Sequence, residues 1–391
     1  MDADYQDLSA LLRSYAALAP TNPREIDSPP FPTRTWLART ANQLKLYKLL
    51  VTEEELTTNA GRPWKLLFWK RVILEIERGL AAADQKTQEE EEIEEKILTY
   101  YISLQQQPAF PDISQTEIHT YYYGDPGDRK SWSRIDLHEN KASISQGTTG
   151  LRSWGASVCL ANYLILNRHL LEEQDSVLEL GSGTGLLGIL AHQLVPTNRL
   201  YLTDSNPSVL DRLQLNIDLN FKRSSQRNLD SANIKVVELD WNLACSSSVL
   251  PSPVNLSPST LILGADVIYD PDLIPSLVRT IKLCLTQHPE PKTSPLDLPV
   301  NEPLPCRRSH ALICGLVRAP STWEKFLETC GSEGLVIEAV QIGESVELGR
   351  ADRRGIVFPQ ALDRALLDLR MVRLTLPLPS PTVPASVHPC S

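Results

Sequence analysis

Between Val177 and Leu190 the chain reads V-L-E-L-G-S-G-T-G-L-L-G-I-L, an apolar strand, a glycine loop and the apolar start of a helix. A strand that turns this sharply into a helix is the opening unit of a wound α/β sheet, and the turn is where such sheets hold nucleotide-type ligands. The glycines stand at Gly181, Gly183, Gly185 and Gly188, and they fit two registers. From Gly183, G-T-G-L-L-G matches the dinucleotide fingerprint, with Asp204 about 20 residues on as a ribose acid. From Gly181, the same residues read E-x-G-x-G-x-G, with Glu179 two positions ahead of the first glycine. A tight turn that binds nothing is the plain structural alternative.

Charge separates the two registers. A carboxylate at the mouth of the strand repels a pyrophosphate and attracts a ligand that carries positive charge and no phosphate. S-adenosylmethionine, with its sulfonium and ammonium, is such a ligand. The glycines serve either one, because a missing side chain lets the backbone approach the ligand closely.

Composition narrows the class. The chain has 391 residues, 42% of them hydrophobic and 22% charged, which suits a globular protein of one large domain with a smaller one or long insertions. No apolar run approaches the roughly 20 residues needed to span a bilayer. The start M-D-A-D-Y-Q-D-L carries no basic signal-peptide region, so cytoplasm is the expected compartment, with no membrane partner. The 7 cysteines are scattered without a C-x-x-C pair, giving neither a disulfide framework nor a metal site, and read as buried thiols. A net charge of -10 argues against direct nucleic-acid binding and leaves basic proteins as partners.

Residues 1–105 are expected to form a helical N-terminal domain. Leu8, Leu11, Leu12, Tyr15 and Leu18 recur at helical spacing, as do Leu66, Trp69, Ile73, Ile76 and Leu80. The acidic run Glu89 to Glu95 reads as a solvated helix face. Residues 106–141, with prolines and turn residues from Pro108 to Asp128, read as a linker. From 142 to 376 strands and helices alternate, which predicts a Rossmann-like, mostly parallel sheet with helices on both faces. Expected strands are Ser176–Leu180, Arg199–Thr203, Ile234–Glu238, Leu261–Ala265 and His310–Leu316, with two more near 335–340 and 371–376. Proline-rich stretches at 251–258 and 289–305 read as surface insertions, and 377–391 as a disordered tail.

The polar residues of interest fall just past the carboxyl ends of these strands, the ligand edge of an open α/β sheet. Asp204 can accept from both ribose hydroxyls. In L-D-W, Asp240 can accept from an adenine amine and Trp241 can pack on its ring, although a tryptophan there is as often core. Trp154, before the helix that precedes the first sheet strand, carries the same ambiguity. Asp266 and Tyr269 lie three apart in A-D-V-I-Y, so a turn must begin after Ala265 if both are to face one pocket. An acid beside an aromatic ring suits an ammonium. G-x-S-x-G, H-E-x-x-H and the P-loop lysine are absent, which leaves hydrolase, zincin and P-loop readings without support.

With E-L-G-S-G-T-G, Asp204, D-W and D-V-I-Y in this order, the chain resembles the seven-strand, lysine-specific protein methyltransferases that carry a D-x-x-Y motif. The stretch I-S-Q-G-T-T-G-L-R-S-W-G-A-S-V-C-L-A-N-Y-L at 144–164 is similar to the branch that methylates translation elongation factor 2. The resemblance covers about 142 to 376 well and the N-terminal region loosely. It implies S-adenosyl-L-methionine as cofactor and a protein substrate, elongation factor 2, for a monomeric enzyme. By matched position, Trp154, Gly181, Ser182, Gly183, Asp204, Trp241 and Ala265 would contact the donor, and Asp266 with Tyr269 would form the substrate motif. The chain departs from the family at Gly155, where an acidic residue is frequent, and in the longer proline-rich insertions. A methyltransferase acting on another protein or on a small molecule, a nicotinamide enzyme, and a binding module that keeps the pocket without catalysis are the alternatives.

Overall fold

The computed structural model describes residues 8–18, 31–52, 61–82, 91–106, 116–125, 128–141, 148–221, 233–286, 308–342, 358 and 368–378. Helices α1 (Ser9–Ala16), α2 (Arg34–Leu37), α3 (Thr40–Tyr47), α4 (Arg62–Ala82) and α5 (Glu95–Gln106) form the N-terminal part. The two periodic segments meet there: Leu11, Leu12, Tyr15, Trp69 and Ile76 share one apolar cluster with Phe68, Val72 and Ile97. The buried Trp69 indole donates to the Tyr15 hydroxyl at 3.1 Å. The acidic run departs from expectation where it is described. Residues 91–94 lie outside the helix, pinned to α3 by Thr40 N–H donating to Glu91 and by Gln43, which donates to Glu92 O and accepts from Glu94 N–H. A side-chain amide that satisfies extended backbone competes with helix formation there.

The stretch read as a linker contains a β-hairpin, β1 (Thr116–Tyr123) and β2 (Ser133–Asn140), paired antiparallel. Its strand sequence T-E-I-H-T-Y-Y-Y is rich in β-branched and aromatic residues, a signal that the flanking prolines masked. The hairpin serves two cores. Tyr121, Tyr123, Ile135 and Leu137 join the main core, while Trp132 joins the helical cluster.

The main core surrounds a seven-stranded sheet. In chain order come α6 (Gly155–Leu166), α7 (His169–Glu172), β3 (Ser176–Leu180), α8 (Leu186–Leu194), β4 (Arg199–Asp204), α9 (Pro207–Phe221) and β5 (Ile234–Glu238). They are followed by α10 (Trp241–Ser247), β6 (Thr260–Ala265), α11 (Ile274–Thr286), β7 (His310–Leu316), α12 (Pro320–Ser332), β8 (Val336–Val340) and β9 (Leu369–Thr375). Strand order is β5-β4-β3-β6-β7-β9-β8, with β9 antiparallel to both neighbours and the other pairs parallel. Period-two alternation sends Leu200, Leu202, Leu261 and Leu263 to one face and Tyr201 and Ile262 to the other. The order reverses between β3 and β6, so the crevice lies at their carboxyl ends.

The proline-rich stretch 251–258 is more than a surface insertion. Leu256 is buried in the core, and Asn255 O accepts from the Tyr201 hydroxyl at 3.1 Å, so the segment closes the end of the sheet away from the crevice. The stretch 289–305 and the tail from 379 lie outside the described residues. Of the cysteines described, Cys159, Cys284, Cys314 and Cys330 are buried and Cys245 is half-buried, all as free thiols.

Candidate active site

Strands β3, β4, β6 and β7 end in register: Leu180 pairs with Thr203 and Gly264, and Ala265 with Cys314. Residues just past those ends, with the segment before α6, enclose a cavity of about 730 Å³. That volume suits a nucleoside-sized ligand. Trp154, Glu179, Gly181, Ser182, Gly183, Asp204, Asp240, Trp241, Ala265, Asp266 and Tyr269 all line it.

The glycine loop forms one wall because its backbone lies where side chains cannot. Gly183 has φ +53°, and a Cβ there would stand 3.1 Å from Gly150 O, in the segment that precedes α6. At Gly188, in α8, a Cβ would strike Leu202 and come 3.0 Å from Glu179 Oε2, so this glycine lets the helix sit tight on β3 and β4. The loop is braced from below by Ser182, whose hydroxyl accepts from Thr203 N–H at 2.9 Å.

Glu179 is not at the mouth of the strand, as its sequence position suggests, but inside, 3% exposed. A β3 side chain points into the sheet face that α8 covers, and the carboxylate is drawn in with it. Its Oε2 has no hydrogen-bond partner. Burial pushes its pKa up to about 8, against partial relief from the Ser182 hydroxyl and the Gly188 amide, with the Asp204 charge adding to the rise. Glu179 therefore favours a cation from inside rather than at the mouth: a positive ligand entering the cavity meets a carboxyl group that its charge helps to ionise.

Asp204 ends β4 and is half-buried, accepting from Gly183 N–H at 3.4 Å and Asn206 N–H at 3.1 Å. Burial raises its pKa, with the amides of Asn206, Gly183 and Ser205 opposing. Asp240 caps α10 by accepting from Asn242 N–H at 2.7 Å, so the carboxylate read as an adenine acceptor already has a structural task. Trp241 begins that helix, partly buried against the core on one side and lining the cavity on the other.

The turn required after Ala265 is present. Asp266 has φ +57°, a left-handed conformation rare for a residue with a side chain, and its N–H donates to Cys314 O at 2.8 Å. Tyr269 stands 53% exposed at the rim, its pKa raised by burial and by the charges of Asp204 and Asp270. Asp266 does not lie free to receive an ammonium. Arg318, two residues past β7, holds its carboxylate with both terminal guanidinium nitrogens, at 3.1 and 2.6 Å. The same guanidinium lies over the Trp154 ring, 5.4 Å from its centroid.

Sequence reasoning did not single out Arg318, yet L-V-R-A-P follows the end of a strand at the same sheet edge as the other site residues. Thr149 was likewise read only as part of a motif; its carbonyl accepts from the Trp154 indole at 3.0 Å and fixes that ring on the cavity wall. The cavity carries Glu179, Asp204, Asp240 and Asp266 against Arg152 and Arg318, and Arg318 is already paired. This balance suits a cationic ligand better than a pyrophosphate.

Residues 133–293, which hold every residue of the predicted site, match the family described as lysine methyltransferase. This region resembles a lysine methyltransferase domain. The chain is 29% identical over 204 residues to protein-lysine N-methyltransferase EFM3 of Chaetomium thermophilum, covering 52% of this chain and 53% of that one. It is 33% identical over 155 residues to the human protein-lysine N-methyltransferase EEF2KMT, covering 39% of this chain and 45% of the relative. EFM3 of Saccharomyces cerevisiae is 28% identical over 218 residues, 52% of this chain and 55% of its own. The chain thus spans about half the length of these curated relatives. Among solved structures, the fibrillarin/Nop5p complex aligns over 62% of this chain and 94% of that chain at 13% identity with a TM-score of 0.35, too remote to add to the topology above. Among the described residues, no helix is long and apolar enough to cross a membrane.

Proposed function

We propose that this chain is an S-adenosyl-L-methionine-dependent protein-lysine N-methyltransferase whose substrate is translation elongation factor 2, acting as a monomer in the cytoplasm. The observation that carries the reading is a single cavity with two differently built ends. One end has the glycine loop, Asp204 and the partnerless buried oxygen of Glu179. The other has a cation held between the Asp266 carboxylate and the Trp154 ring, with Tyr269 at the rim. The first suits a nucleoside that bears positive charge; the second suits an amine. The stretch 144–164, similar to the elongation factor 2 branch, supports the choice of substrate, and one chain supplies the whole cavity.

In this reading Gly181, Ser182 and Gly183 hold the methionine part of the donor by their backbone, Asp204 accepts from the ribose hydroxyls, and Trp154, Asp240, Trp241 and Ala265 complete the pocket. The bound donor supplies an electrophilic methyl group on a sulfonium, so the protein need provide no nucleophile of its own. Asp266 and Tyr269 position the substrate nitrogen, the main service a direct displacement needs. Lysine, with a reference pKa near 10.4, must shed a proton first, and partial desolvation beside Trp154 and Tyr269 would lower that value. Tyr269, its own pKa raised, keeps its proton and acts as a hydrogen-bond donor or ring contact rather than as base. The proton leaves toward solvent at the exposed rim.

Ligand-dependent thermal unfolding tests the donor half. Adenosylhomocysteine at about 100 times its Kd should stabilise the protein by ~2.7 kcal/mol. NAD at the same concentration should leave the melting temperature unchanged. Stabilisation by NAD alone would overturn the reading in favour of the nicotinamide register at 183–188.

A further inference from the structure

We infer that Arg318 occupies the site of the substrate amine, and that a lysine enters by displacing its guanidinium from Asp266 and Trp154. The inference rests on the methyltransferase reading and deepens it at the acceptor end. Arg318 makes three contacts that an incoming lysine ammonium would want: two charge-assisted hydrogen bonds to Asp266 and the face of Trp154. It does so from outside, since its side chain is 44% exposed while that of Asp266 is 8% exposed. Among the described residues its side chain has no other polar partner.

The asymmetry in exposure decides how the site must work. A carboxylate this covered favours having a cation beside it, because removing its partner leaves a charge poorly solvated. The guanidinium, by contrast, can swing into solvent at little cost. Exchange of Arg318 for a lysine ammonium keeps one positive charge on Asp266 during entry, before the lysine sheds the proton that methyl transfer requires, so entry itself carries no net loss of charge pairing. The left-handed backbone of Asp266 fixes where the carboxylate stands in both states. Neutral and anionic side chains have nothing to offer Asp266 in return for Arg318, so the exchange also selects for cations. Arg318 is thus a positioning residue that keeps the acceptor site closed to side chains that carry no positive charge.

Kinetics with labelled adenosylmethionine and purified elongation factor 2 test this in the full chain. Arg318→Ala should lower KM for the protein acceptor by roughly three- to tenfold, the worth of one partly exposed ion pair as competitor. Arg318→Lys, which keeps a weaker competitor, should fall between the two. Millimolar guanidinium chloride should compete with the acceptor in Arg318→Ala and much less in the parent, whose site is already filled. Adenosylhomocysteine should bind all three forms with the same Kd. An unchanged or raised KM in Arg318→Ala overturns the inference, as does a tenfold weaker Kd for adenosylhomocysteine, which would make Arg318 a donor contact. Failure of the parent itself to bind adenosylhomocysteine would instead defeat the methyltransferase reading.

Discussion

Replacing Glu179 by glutamine probes the donor pocket from the side of stability. The carboxyl is buried, one of its oxygens has no partner, and its pKa stands at about 8 against an ordinary 4.5. Between those values the native state keeps a proton that the unfolded chain has lost, so raising the pH across this window destabilises the fold. At 1.36 kcal/mol per pH unit the loss over the whole window is on the order of 5 kcal/mol, complete above the folded pKa. Glutamine has no such titration, but its amide N–H₂ replaces the lone oxygen and stays unsatisfied at every pH, at a cost of about 1–3 kcal/mol. The two stability curves should therefore cross. Denaturant unfolding at pH 5 should find the parent more stable, and at pH 9 the variant, with the difference between them changing by several kcal/mol. Adenosylmethionine should show the opposite preference, binding the parent more tightly as pH rises and the variant weakly throughout. Parallel stability curves from pH 5 to 9 would refute the placement of an ionisable, uncompensated carboxyl at this position.

Three further outcomes follow from the same geometry. Asp204→Ala should weaken adenosylhomocysteine binding by roughly tenfold or more, as loss of one or two charge-assisted hydrogen bonds implies, measured by titration calorimetry. Gly183→Ala should abolish measurable donor binding while circular dichroism stays native, because the new methyl meets Gly150 O at 3.1 Å in a strained backbone. Trp69→Ala, which empties the centre of the helical cluster, should cost about 3–5 kcal/mol in denaturant unfolding and leave donor affinity of the folded fraction unchanged.

The sheet was legible because its strands are short apolar runs bounded by turn residues, and because most candidate site residues lie at or just past the end of one. Ser176–Leu180, Ile234–Glu238 and His310–Leu316 begin and end where the pattern puts them. The hairpin was hidden because turn-rich composition on both sides of 116–123 outweighed its alternation, and its stability comes from partners far away in sequence, such as Asn216 accepting from His138 N–H at 2.8 Å. The site showed the same division. Which residues gather at the strand ends can be read from spacing, since topology brings all such ends together. Which partner each one has cannot, because pairing is settled across separate strands: Asp266 and Arg318 are 52 positions apart, and nothing local ties them. The depth of Glu179 was missed for a related reason, as its burial depends on Gly188 admitting α8 close to β3.

In the function proposed above, this cavity transfers a methyl group to a lysine of a protein. Incubating the purified chain with methyl-labelled adenosylmethionine and elongation factor 2 from cells lacking this enzyme, then mapping the label by mass spectrometry, tests it directly. Label is expected on a lysine side chain, and should be lost with Asp266→Asn although that variant still binds adenosylhomocysteine. No labelled lysine, or equal labelling by Asp266→Asn, would contradict it.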